Sequence, residues 1–194
     1  MLRCMSGEER PPCRTKKTRK FLAGFRSIAR LLVWILTTTC RYHWALILGP
    51  KKETDGVMGM RFHVKERILP GGQGTEWVFE NPPCRLGATS MLLVRIMVGK
   101  VKDSQRLTEI LRTTPVRGDV EGWNCVSWVK EAVERSRAEE KVLGKCVLDW
   151  QTVRAAAMDY CQEKKDQHRF DGQGDFDMSR APTYDLIQRK ESIG

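Results

Sequence analysis

The sequence predicts an α+β fold, with an antiparallel sheet of about four to five strands followed by two or three helices. Two observations lead there. Residues 42–98 carry short runs of β-branched and aromatic residues separated by Gly and Pro. Residues 103–166 instead place apolar side chains at helical spacing. Strands first and helices after is the α+β order. A chain of 194 residues, 41% of them hydrophobic, fits one ordinary domain with extensions. The expected boundaries are a basic, partly disordered extension over 1–41, a globular domain over 42–168 and a tail over 169–194.

The elements follow in order. His43 to Leu48 is strand text that stops at Gly49-Pro50. In the next strand Met60, Phe62 and Val64 alternate with Arg61, His63 and Lys65, so His63 faces away from the apolar set. Pro70 to Gly74 is a turn leading into Thr75 to Glu80, and Met91 to Val98 is apolar almost throughout. Asp103 or Ser104 caps a short helix bearing Leu107, Ile110 and Leu111. A second helix starts near Asn124, with Cys125, Trp128, Val129, Ala132 and Val133 on one face. A third starts at Asp149 with the stripe Trp150, Val153, Ala157, Tyr160 and Cys161. Phe21, Leu22, Phe25, Ile28, Ala29 and Leu32 recur at the spacing of a basic amphipathic helix, while Leu31 to Leu36 reads equally well as a first strand.

Charge is unevenly spread. The net +10 comes mostly from residues 1–42, which hold ten Lys and Arg against two Glu. The remainder is nearly balanced, which argues against nucleic-acid binding through the core. It leaves a membrane surface or a mitochondrial presequence as readings of residues 1–41. Six apolar residues are too few to span a bilayer, which needs about 20. The seven cysteines include no C-x-x-C pair, and only His43, His63 and His168 could join them, so no metal site and no cofactor is expected. Reduced thiols suggest the cytoplasm. Oligomeric state is not legible.

Chemistry concentrates at Trp123-Asn124-Cys125. Asn124 as N-cap puts Cys125 in the first helical turn, where free N–H groups favour a thiolate. A nucleophilic cysteine also needs an imidazole, and His43 and His63 are those within the expected core. The alternative is equally simple. Cys125 shares a face with Trp128 and Val129, where a structural cysteine would also sit.

His43-Trp44-Ala45 in one strand, His63 in the next and Asn124-Cys125 opening a later helix resemble the circularly permuted papain-like proteins. The lecithin:retinol acyltransferase-like group is the nearest of these, with relatives among the NlpC-type peptidases. The resemblance implies a permuted papain-like fold with Cys125 as nucleophile, His43 as general base and His63 orienting that base. Trp123, Asn124 and Trp44 would adjoin the substrate. Val126-Ser127-Trp128 stands where that group has Glu-His-Phe. The stretch from Tyr42 to about Ile187 also resembles a fungal family of small uncharacterised proteins, through His43 to Leu46, Gly49-Pro50-Lys51, Phe62 to Lys65, Trp123 to Val129 and Arg169 to Gly172.

The expected function is a cysteine-dependent hydrolase or acyl or peptidyl transferase acting on an unidentified small molecule or peptide, linked to fungal secondary metabolism. The alternative is a non-catalytic binding or accessory module, in which Trp44, Trp77, Trp123 and Trp128 line a groove or the core.

Overall fold

The computed structural model describes residues 29–37, 42–54 and 56–193. They form strands β1 (Ala29–Thr37), β2 (Tyr42–Pro50), β3 (Met58–Ile68), β4 (Thr75–Glu80), β5 (Pro83–Arg85) and β6 (Leu92–Val101). Helices α1 (Ser104–Arg112) and α2 (Cys125–Ala138), strand β7 (Leu143–Cys146), helix α3 (Trp150–Asp166) and strands β8 (Thr183–Asp185) and β9 (Lys190–Ile193) follow.

All nine strands join one sheet of order β4-β3-β2-β1-β6-β8-β9, with β5 on β3 and β7 on β6. The α+β class stands, but the expected four to five strands is too few. Part of the difference lies in β1, which pairs antiparallel with both β2 and β6 at the centre of the sheet. Both its faces are covered, so it reads as an unbroken apolar run that periodicity cannot tell from a helix. The helix suggested over Phe21 to Leu32 lies outside the described residues as far as Ile28, and its last part, Ala29 to Leu32, belongs to β1 instead. β8 and β9 are short polar segments that pairing, and not propensity, makes into strands. β8 lies parallel to β6, and β9 antiparallel to β8. The sheet therefore reaches beyond 42–168 at both ends.

The three helices begin at the expected caps. Asp103 accepts from the Arg106 N–H, Asn124 from those of Val126 and Ser127, and Asp149 from that of Thr152. α2 packs on β2 and β3 while α3 packs on β6 and β1, all on one face of the sheet. Trp128, Val129, Val153 and Ala157 are buried there with Leu31, Val33 and Ile35. On the far face Leu32, Trp34, Ala45 and Ile47 lie beneath Leu86 and Ala181. Leu86 comes so close that a Cβ on Gly49 or Gly59 would stand 2.7 or 2.6 Å from it. Those two glycines let the connection after β5 seal the far face. No helix among the described residues is long and apolar enough to cross a membrane.

Candidate functional site

The site grows from a split in the sheet. β2 pairs with β3 over Leu46–Leu48 and Met60–Phe62. From His63 onward β3 pairs with β4 instead. The N-terminal end of β2 is thereby released from β3, and the first turn of α2 arrives at this end of the strand.

Cys125 opens α2 and is 7% exposed. Burial pushes its thiol above the ordinary range, against hydrogen bonds from the backbone N–H groups of Trp44, Val126 and Cys125 itself. The helix start does act in the direction expected from sequence, but desolvation outweighs it, so the resting thiol is protonated. The Trp44 contact sets the sulfur beside the residue that follows His43.

The two histidines meet. His43 Nε2 lies 2.8 Å from His63 Nδ1, with the rings edge to face. Burial, reinforced by Arg61, lowers the His43 pKa to about 4. Burial, Arg61, His43 and Lys65 together lower that of His63 to about 3. Both rings are therefore neutral at pH 7. Glu80 Oε2 stands 3.8 Å from His63 Nε2, which is buried without a hydrogen-bond partner. A proton on that Nε2 faces Glu80, whereas a bare nitrogen would have two acceptors opposed. His63 Nδ1 then accepts from His43 Nε2–H, leaving His43 Nδ1 as the basic atom.

Strand alternation separates these groups. Trp44 and Val64 point to the helix-covered face with Cys125, and Ala45 to the far one. His43, opposite Leu36 in register, and His63 follow Ala45 to the far face. No hydrogen bond joins the Cys125 sulfur to either ring among the described residues. The sulfur and the imidazoles therefore approach the split from its two sides.

The other residues suggested from sequence are already engaged. Trp44 is buried with its ring 5.7 Å from that of Trp150, so only its backbone is free to serve the site. Asn124 spends Oδ1 on the cap and donates Nδ2–H to Gly122 O. Trp123 stacks edge-on against Trp77, and Trp128 is core, against Phe79. Sequence reasoning missed Glu80 and Arg61. Alternation already set Arg61 on the His63 side of β3, whereas Glu80 is placed opposite His63 by pairing register alone. No group of three or more His, Cys, Asp or Glu among the described residues is placed to hold a metal.

Fold and site define an α+β protein with one sheet, helices on one face, and a buried helix-start cysteine across a sheet split from two bonded imidazoles. The sequence from 32 to 193 matches the family of unknown function DUF6914, and the chain belongs to it. No curated protein and no solved structure matches the chain.

Proposed function

We propose that the protein is a thiol-dependent hydrolase or acyl or peptidyl transferase. In this reading Cys125 is the nucleophile, His43 the general base and His63 the group that orients it. The observation that supports it best is the 2.8 Å bond between two neutral imidazoles, one of them adjacent in sequence to the amide that contacts the sulfur. The Cys125 proton passes to His43 Nδ1 as sulfur attacks an acyl carbonyl. The leaving group takes that proton, and water or an acceptor nucleophile then releases the acyl group. The N–H groups around the sulfur are the natural donors to the oxyanion. The chemistry requires the His43 ring and the thiol to close on each other through the split. A permuted papain-like relationship, a fungal source, a role in secondary metabolism and a cytoplasmic location belong to the same proposal. The first three rest on sequence resemblance, and the last on unpaired cysteines such as Cys84 and Cys146.

Incubation with p-nitrophenyl acetate, acid quenching and peptide mapping tests the reading. Acetyl is expected on Cys125, absent in Cys125→Ala and at least tenfold slower to form in His43→Gln. Acetylation favouring the exposed Cys146, with no dependence on His43, would overturn it.

A second reading has its own support. A protonated thiol and imidazoles on opposite faces suit a non-catalytic binding module that retains the scaffold. It predicts that Cys125→Ala folds normally and leaves partner binding unchanged.

A further inference from the structure

A cavity of about 520 Å³ opens where the C-terminal end of α3 meets the connection before β6 and the segment before β8. Its volume lies in the usual range for small-molecule sites, about 300–1,000 Å³. Its lining contains Lys165, Arg169 and Arg180 and no carboxylate. Thr89 and Ser90 add hydroxyls, while Leu93, Phe170 and Met178 supply apolar wall.

Arg169 distinguishes this cavity from an ordinary basic surface. It is 2% exposed, and no Asp or Glu pairs with it among the described residues. Its Nη2 donates to the carbonyls of Asp177 and Arg180, but its Nη1 has no acceptor. A buried cation with no carboxylate in direct contact is costly, so an anion seated beside it would gain both a hydrogen bond and charge compensation. Asp177 and Glu191 feel the Arg169 charge from beyond ion-pair distance, and Asp177 Oδ1 takes the Ser179 N–H and hydroxyl, so neither caps Nη1.

The cradle is built by the tail. Phe176 lies under the guanidinium, 4.8 Å from ring centroid to charge. Gly174 makes room for that ring, since a Cβ there would stand 2.3 Å from it. Lys165 lies over the Tyr42 ring and donates to its hydroxyl, which leaves two ammonium protons for a ligand. This assigns a task to the Arg169 to Gly172 text that the thiol chemistry does not use.

We infer that this cavity binds a small anionic amphiphile, with its carboxylate or phosphate head at Arg169, Lys165 and Arg180 and its apolar body along Leu93, Phe170 and Met178. The inference does not depend on the thiol reading, since the cavity lining includes none of Cys125, His43 and His63.

Calorimetry and thermal melting of the full chain with octanoate, octyl phosphate and 1-octanol test it. At least one anion should bind and raise the unfolding midpoint, more weakly as salt increases, while 1-octanol at equal concentration does neither. The tighter-binding anion identifies the head group. Arg169→Gln should weaken binding at least tenfold. Because Arg169 also ties two carbonyls, the exposed pair Lys165→Gln/Arg180→Gln provides a second variant, expected to fold and to bind at least fivefold more weakly. Cys125→Ala should bind as wild type. Equal binding of 1-octanol, no binding of either anion, or wild-type affinity in the Lys165/Arg180 double variant would each overturn the inference.

Discussion

On the helix-covered face of the sheet, Val33 and Ile35 share an apolar cluster with Trp128, Val129 and Val133 of α2. On the far face the alternate residue of β1, Trp34, sits in register with a buried arginine. Arg95 donates to Glu53, to Thr183 Oγ1 and to the Leu86 carbonyl. The same face carries the His43–His63 bond and Arg61. One face is thus held by area and shape, which are non-directional. The other adds to a smaller apolar cluster a few buried polar groups, Arg95 and the histidine pair among them, whose contacts are directional. Two surfaces of one sheet can therefore fail differently, one by loosening and the other by exposing unpaired charge.

The largest expected effect tests the apolar face. Trp128 is fully buried, so Trp128→Ala should cost about 3–5 kcal/mol in urea unfolding. Survival of the urea midpoint would mean that α2 contributes little to the core. Next, Arg95→Leu should cost about 3 kcal/mol by leaving the half-buried Glu53 without its partner. It should also increase proteolysis within residues 178–193, because Arg95 ties β8 to β6. If Arg95→Leu is neutral, the polar groups of the far face are passengers and the comparison collapses.

Acid sharpens the contrast further. Both histidine pKa values are lowered in the folded protein, so the unfolded chain binds protons first as pH falls from about 6.5. The stability from the neutral pair is fully present above that pH and is lost towards about 4 for His43 and about 3 for His63. The expected slope is about 1.4 kcal/mol per pH unit for each ring. A His43→Gln/His63→Gln variant should flatten it in pH-dependent urea melts. The smallest effect belongs to the α2 cap, where Asn124→Ala should cost about 1 kcal/mol. The same substitution should raise the Cys125 pKa in thiol titration, since the Asn124 side chain holds the Val126 N–H at the start of the helix.

Local chemistry was legible where neighbouring residues settle it. Asp103, Asn124 and Asp149 marked helix starts because a capping side chain reaches N–H groups two or three residues on. Alternation set His63 opposite Met60, Phe62 and Val64 because successive strand side chains must diverge. Less legible were β1, apolar on both faces, and β8, whose three residues are a strand only because β6 lies alongside.

By itself the sequence determined the helix starts, the strand faces and the presence of one helix-start cysteine with two strand-borne histidines. Tertiary structure alone decided that His43 and His63 bond across a split between β2 and β3 while Cys125 reaches that split from the other side. It alone also left Arg169 Nη1 buried without an acceptor. The physical reason is range. Caps and alternation act within a few residues, whereas ladder partners and the face on which helices settle are chosen by segments tens of residues apart.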